Sequence, residues 1–110
     1  MKIAVPCSDG KLSPHFGHCS VFAVADVENG VVNAVSEHVP PPHEPGVLPG
    51  WLEKLGVEVI LAGGMGARAQ AIFMEKNIKV ITGAPQLPPE EVVSAYLAGS
   101  LQTGENLCDH

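Results

Sequence analysis

The stretch Val57-Glu58-Val59-Ile60-Leu61-Ala62-Gly63-Gly64-Met65-Gly66 decides the fold, because it joins a continuous apolar run to a glycine-rich turn. The segment from Val57 to Ala62, apolar except for Glu58, is typical of a buried strand. A helix is predicted from about Ala67 to Lys76, and another strand from Ile78 to Ile81. A strand–helix–strand unit makes its two strands parallel. The sequence therefore predicts an α/β protein.

Three more strands are predicted upstream of this unit. Lys2 to Pro6 opens with a buried apolar run, and Ser20 to Val27 and Val31 to Val39 have strand patterns. Glu28-Asn29-Gly30 between the last two is a hairpin signal. Because hairpin strands are antiparallel, the second predicted strand is expected to run against the first and third. The predicted sheet is therefore mixed.

Two further helices complete the prediction. Leu48, Leu52 and Leu55 mark a short helix that ends at Gly56. A last helix from Glu90 to Leu97 is entered through prolines. We therefore predict a five-stranded mixed sheet of order 3-2-1-4-5, counted along the chain, with helices packed on its faces. Residues 1–99 form a single α/β domain in this prediction, and residues 100–110 form a flexible C-terminal tail.

This topology brings residues suited to metal chemistry to one edge of the sheet. Open α/β sheets bind ligands at the carboxyl ends of their strands. The residues predicted at that edge are Cys7, His15, His18, Cys19, His38, His43, Gly63, Gly64, Met65, Gly66 and Gly83. Thiolates and imidazoles are ligands of soft and borderline metals. Their spacing matches no zinc-finger pattern.

The glycine turn permits two interpretations. Glycines let the backbone approach a ligand, the helix start attracts anions, and Arg68 adds a positive charge. The same turn also serves a purely structural role in many proteins. Met65 is either a core side chain or a soft thioether that faces a ligand. The sequence alone leaves both alternatives open.

Composition excludes several classes of function. The chain has 110 residues, a formal net charge of −6 and only six Lys and Arg, which are scattered, so a nucleic-acid surface is not expected. The first apolar run, Ile3 to Pro6, is only four residues long and no run approaches a membrane span, so we predict a cytoplasmic protein without membrane contact. An odd count of three cysteines argues against a disulfide framework.

Four segments carry a resemblance to a known family. They are Met1-Lys2-Ile3-Ala4-Val5-Pro6, Ser13-Pro14-His15-Phe16-Gly17, Gly63-Gly64-Met65-Gly66 and Tyr96-Leu97-Ala98-Gly99-Ser100-Leu101. In this order they resemble the dinitrogenase iron–molybdenum cofactor biosynthesis family. The resemblance implies a ribonuclease-H-like fold and the binding or delivery of iron–molybdenum cofactor precursors. A relative, the orange protein, holds a molybdenum–copper sulfide cluster.

The resemblance and the clustered edge together predict a non-catalytic module that binds and carries, or helps assemble, a metal–sulfur cluster of iron–molybdenum or molybdenum–copper type. The predicted cofactor-binding residues are His15, Phe16, Gly17, His43, Gly63, Gly64, Met65, Gly66 and Arg68. The predicted metal ligands are Cys7, His15, His18, Cys19, His43, Cys108 and His110. The expected partners are cluster donor or acceptor proteins, and the expected state is a monomer or weak homo-oligomer.

Two other functions remain open at this point. The first is a simple Cys/His metal-binding or redox-sensing protein that uses zinc, copper or iron. The second is a small hydrolase or nuclease in which Cys7 or Cys19 is a nucleophile paired with His15. Inorganic sulfide together with molybdenum or iron in the purified protein distinguishes the cluster carrier from both.

Overall fold

A computed structural model describes residues 1–41 and 47–104, apart from the side chain of His18. Its strands are β1 (Lys2–Ser8), β2 (Lys11–Leu12), β3 (Val21–Glu28), β4 (Val31–His38), β5 (Val57–Leu61) and β6 (Lys79–Ile81). Its α-helices are α1 (Val47–Lys54), α2 (Ala67–Glu75) and α3 (Pro89–Leu97), and a short 3₁₀ turn covers Phe16–His18. The predicted helices and strands are all present, with boundaries that differ by one to two residues.

The sheet is mixed and has the order β4-β3-β1-β5-β6, with β2 paired to β1. β1 is antiparallel to β3 and parallel to β5, which is parallel to β6. This order is the predicted 3-2-1-4-5 once β2 is set aside. The α/β class and the mixed sheet are therefore confirmed, and the ribonuclease-H-like label stays a prediction.

The predicted count of five strands is wrong, because the sheet has six strands within the described residues. Ser8 of β1 pairs with Lys11 of β2, so the turn between them has only two residues. Both turn residues have positive φ, 55° at Asp9 and 78° at Gly10, as a type I′ hairpin turn requires. An Asp-Gly pair is a hairpin signal, but the sequence analysis predicted no strand between Lys2 to Pro6 and Ser20 to Val27.

The helices cover both faces of the sheet and divide the core in two. Ile3 and Val5 of β1 pack in one cluster with Val92 and Val93 of α3, which we call the α3-side core. Ala4 packs on the other face with residues of α1, α2 and the sheet. That second cluster, the α1/α2-side core, contains Phe16, Phe22, Leu52, Ile60, Met65 and Phe73. β1 alternates between the two because successive side chains of a strand point to opposite faces.

The strand directions define one carboxyl edge. β1 ends there at Ser8, β5 at Leu61 and β6 at Ile81, since these three strands are parallel. β4 also ends there at His38, because it is antiparallel to β3. Within the described ranges, no helix is both long and apolar enough to cross a membrane. The loop before β3 carries the predicted site residues His15, Phe16 and Gly17, and the loop after β5 carries Gly63 to Gly66.

Candidate functional site: the carboxyl edge of the sheet

A backbone hydrogen bond joins residues 13–20, which we call the first loop, to the glycine turn Gly63–Gly66. The Phe16 amide donates to the Gly64 carbonyl oxygen at 2.9 Å. His15 precedes Phe16 and Gly17 follows it, so the predicted residues of the first loop lie beside the Gly63–Gly66 turn. His15 and Gly17 are exposed at this edge. The structure thus brings together two segments that are almost 50 residues apart in the sequence.

Ser13 fixes the conformation of the first loop. It is the one buried polar residue among those that the structure describes, at 2% exposure, and its hydroxyl donates to the His15 carbonyl oxygen at 3.0 Å. Its amide donates to the Pro6 carbonyl oxygen at 2.7 Å. A hydroxyl that binds the backbone two residues onward stabilises a local turn. Ser13 therefore positions His15, a role that the sequence analysis did not assign.

Gly63 has a packing role at this edge. A Cβ atom placed there would lie 3.0 Å from the Pro14 Cα atom and 3.0 Å from the Ser13 carbonyl oxygen. Both of these are backbone atoms, which cannot rotate away as a side chain would. The absence of a side chain at residue 63 therefore lets the first loop approach β5 closely.

A cluster of aromatic side chains in the α1/α2-side core supports the first loop. The ring of Phe16 makes edge-to-face contacts with Phe22 at 5.7 Å and with Phe73 of α2 at 5.6 Å between centroids. Phe22 contacts Trp51 of α1 at 5.6 Å, and Trp51 contacts His38 at 6.4 Å. Edge-to-face geometry is favourable for aromatic pairs. Phe16 is thus an anchor in the α1/α2-side core and holds the loop against α2.

His38 belongs to the same edge but was not among the predicted site residues. It ends β4, its Nε2 lies 2.9 Å from the Ser36 hydroxyl, and its ring is half-buried against Trp51. Its position as the last residue of a strand that ends at the carboxyl edge was the available signal. The hydroxyl and the indole ring hold this imidazole in place.

The start of α2 faces the same edge. Its N-cap is Gly66, which makes no side-chain cap hydrogen bond, and its first turn contains no acidic residue. Arg68 lies in that first turn and is exposed. Since the first amides of a helix have no partner within the helix, such an end attracts anions. The adjacent guanidinium adds charge and five N–H donors.

Met65 and Gln70 close the turn on its inner side. The Met65 side chain is 1% exposed and packs in the α1/α2-side core. The Gln70 Nε2 atom donates to the Met65 carbonyl oxygen at 2.8 Å. The thioether is therefore part of the hydrophobic core, as one of the two interpretations of the sequence proposed.

The two described cysteines lie at the edge but pack against different cores. Cys7 is buried in the α3-side core, and its thiol donates to the Val5 carbonyl oxygen at 3.4 Å. Cys19 is half-buried and packs against the α1/α2-side core. Burial raises the pKa of the Cys7 thiol, and burial raises that of the Cys19 thiol to about 11. Both are therefore protonated at neutral pH.

The predicted metal ligands are only partly described. His43, Cys108 and His110 lie outside the described residues, as does the His18 side chain. Among the side chains that the structure describes, no three His, Cys, Asp or Glu residues are close enough to hold one metal ion. The described part of the edge contains the start of α2 and the exposed side chain of Arg68.

Comparisons with known proteins agree with this architecture. A family model described as dinitrogenase iron-molybdenum cofactor matches residues 1–99. An uncharacterized protein of Methanocaldococcus jannaschii, MJ0580, is 30% identical in an alignment that covers 96% of this chain and 92% of that protein.

Solved structures show the same fold. The crystal structure of PH0822 has a TM-score of 0.88 and 30% identity, and the match covers 96% of each chain. The apo form of the orange protein from Desulfovibrio gigas has a TM-score of 0.76 and 26% identity, over 96% of this chain and 93% of that one. Because the family model matches nearly the whole chain, the chain belongs to the dinitrogenase iron-molybdenum cofactor family.

Proposed function

We propose that this protein binds an anionic metal–sulfide cluster, of iron–molybdenum or molybdenum–copper type, as cargo at the carboxyl edge of its sheet. It carries the cluster or helps to assemble it. The family supports a role related to this cofactor. The observation that carries the proposal is the uncapped start of α2, which lies beside Arg68 and beside the first loop that is hydrogen-bonded to Gly64.

The chemistry of this edge suits a sulfide-rich anion. The first amides of a helix direct their N–H groups out of its start, and in our proposal those of α2 donate to the cluster together with the Arg68 guanidinium. The net charge of −6 opposes anion binding at long range. Binding therefore depends on these local donors, which act at short distance.

Direct metal ligation supplements these donors in our proposal. His15 is exposed at the edge and presents an imidazole, and the predicted ligands His43, Cys108 and His110 supply additional nitrogen and sulfur atoms. Cys7 and Cys19 bind metal only after they lose a proton, because burial holds both as thiols. Recognition of a preformed cluster needs fewer protein ligands than capture of a bare ion.

We further propose that the protein is a carrier and not an enzyme. Its partners are proteins that donate the cluster to it or accept the cluster from it, in the cytoplasm. In this proposal the carrier acts as a monomer or weak homo-oligomer.

Anaerobic purification followed by elemental analysis, sulfide determination and an absorption spectrum tests this function. Molybdenum or iron together with inorganic sulfide, in a fixed ratio to protein, is the expected result. Zinc, copper or iron without sulfide would contradict the proposal and would indicate a simple metal-binding or redox-sensing protein. Trp51 provides a second readout, because it is the only tryptophan of the chain and an absorbing cluster nearby should quench its fluorescence.

A further inference from the structure

A row of three glycines crosses the carboxyl edge. The Gly83 amide donates to the Gly63 carbonyl oxygen at 2.7 Å, and the Gly104 amide donates to the Gly83 carbonyl oxygen at 2.7 Å. Gly63 follows β5, and Gly83 follows β6. Gly104 therefore continues the edge by one further position, beyond the end of the last strand of the sheet.

The chain reaches this position by reversing after α3. This helix begins near the carboxyl edge, where the Leu87 carbonyl oxygen accepts a 2.9 Å hydrogen bond from the Leu12 amide of β2. It ends near the opposite edge, where Leu97 and Ala98 line a groove with Gly30 of the β3–β4 turn.

Gly99, with φ of 74°, then turns the chain back. Leu101 packs against the α3-side core on the way. We call residues 100–104 the return segment.

The contact between Gly83 and Gly104 excludes any side chain at residue 83. Gly83 has φ of 78°, and a Cβ atom there would lie 2.8 Å from the Gly104 carbonyl carbon, 2.9 Å from its nitrogen and closer still to its carbonyl oxygen. All of these are backbone atoms. A side chain at residue 83 therefore cannot coexist with the return segment in its present position.

We propose that the return segment is a wall of the ligand-binding edge and that Gly83 is the positioning residue that holds it there. The part that concerns a ligand rests on the proposed function. The Gly83–Gly104 contact thus fixes the return segment beside Gly63, at the start of the glycine turn.

The substitution Gly83→Ala tests this inference, and Gly99→Ala is its matched control. Both glycines have nearly the same positive φ, so alanine meets the same conformational penalty at either position. At Gly99, however, a Cβ atom meets nothing within 4 Å. Only Gly83→Ala should displace the return segment.

Hydrogen–deuterium exchange of the protein without ligand measures the displacement directly. In Gly83→Ala, we expect amides of residues 101–104 to exchange at least about tenfold faster than in Gly99→Ala, as expected when a local hydrogen bond opens. Equal exchange in the two variants would overturn the role of Gly83. Gly104→Pro provides a second route should Gly83→Ala not fold, because proline removes the amide that donates to Gly83 without adding a side chain there.

Retention of tetrathiomolybdate, a dianionic metal sulfide, tests the role as a wall. We expect its dissociation, followed by Trp51 fluorescence, to be several-fold faster from Gly83→Ala than from Gly99→Ala. Equal dissociation rates despite a displaced segment would show that the return segment is no part of the site. Failure of the wild-type protein to bind this probe would count against the proposed function, whereas the exchange result would still decide the role of Gly83.

Discussion

The Phe16 amide and the Gly64 carbonyl oxygen lie 2.9 Å apart in a hydrogen bond that connects the two loops of the candidate site. The Phe16 ring strengthens this connection through its contacts with Phe22 and Phe73. One residue therefore links the His15 loop both to the glycine turn and to helix α2. The site depends on the core packing of a residue that does not itself need to touch a ligand.

Phe16→Ala should lower the free energy of unfolding by about 3 kcal/mol, because it removes a buried ring from the aromatic group. Phe16→Leu, which keeps most of the volume, should cost only about 1 kcal/mol. Urea unfolding followed by circular dichroism measures both. Equal stability of Phe16→Ala and the wild-type protein would mean that the loop is held by its backbone contacts alone.

Gly66→Asp should change stability and ligand binding in opposite directions. Gly66 has φ of −65° and ψ of 154°, so an ordinary residue fits its backbone. Aspartate caps the amides of α2 better than glycine, which should raise the free energy of unfolding by a few tenths of a kcal/mol. The same carboxylate occupies and repels the anion site, so the affinity for tetrathiomolybdate should fall about tenfold or more.

Gly66→Ala is the control for this change, since it adds a side chain without capping the helix or adding charge. Its affinity for tetrathiomolybdate should remain near that of the wild-type protein. Titrations monitored by Trp51 fluorescence compare the three proteins. An unchanged affinity in Gly66→Asp would show that the start of α2 does not bind the anion.

Arg68→Ala should weaken binding of tetrathiomolybdate by about ten- to a hundredfold, the range of a hydrogen bond to a charged group. The exposed guanidinium packs in neither core, so the free energy of unfolding should change by less than about 0.5 kcal/mol. Lys54→Ala removes the same charge from the exposed end of α1 and serves as the control. An equal loss of affinity in both variants would show that Arg68 acts only through the net charge of the protein.

Much of the fold follows from local signals in the sequence. Asn29 and Gly30 both have positive φ, as the predicted hairpin requires, and Gly56 ends α1 with φ of 85°. The second hairpin, at Asp9-Gly10, was missed because β2 has only two residues and shows no alternating pattern. Strand order could be predicted because the hairpins and the strand–helix–strand units fix each neighbour.

The site was less predictable than the fold. The convergence of His15 and Gly64 at one edge followed from the topology, and the hydrogen bond at Phe16 agrees with it. Ser13, His38 and Gly104 acquire their roles from contacts between residues distant in sequence, which composition and spacing do not reveal. The opposite orientations of Cys7 and Cys19 depend likewise on which face of the sheet each side chain enters.

The thiols of Cys7 and Cys19 should alkylate slowly at neutral pH. Burial raises both pKa values, that of Cys19 to about 11, so little thiolate is present at pH 7. Iodoacetamide labelling of the metal-free protein between pH 7 and 10, read by peptide mass spectrometry, should show Cys19 still gaining reactivity at the upper limit. Full labelling of Cys19 at pH 8 in the folded protein would contradict this, and the urea-unfolded chain is the control.

The same pKa shift predicts how stability depends on pH. The folded protein holds the Cys19 proton up to about pH 11, whereas an unfolded thiol releases it near its ordinary value of 9.0. The folded state therefore binds more protons in this window, and the free energy of unfolding should decrease as pH rises through it. Cys19→Ser should flatten this decrease between pH 9 and 11, as measured by urea unfolding.

Cys108→Ser should weaken retention of the cluster while the melting temperature of the apo protein stays unchanged. Cys108 lies outside the described residues, but Gly104 is hydrogen-bonded at the edge through Gly83 and the remaining four steps reach about 14 Å at most. Fixing a residue in one backbone conformation costs about 1–2 kcal/mol in entropy, so a ligand bond made by Cys108 has to be strong. A thiolate–metal bond is of that kind, whereas a serine hydroxyl is a much poorer ligand for soft metals.

An anaerobic challenge with a chelator measures retention of the cluster. Asp109→Asn, which alters the neighbouring residue without removing a soft ligand, should behave as the wild-type protein does. Retention by Cys108→Ser equal to that of the wild-type protein would show that the end of the chain takes no part in holding the cluster.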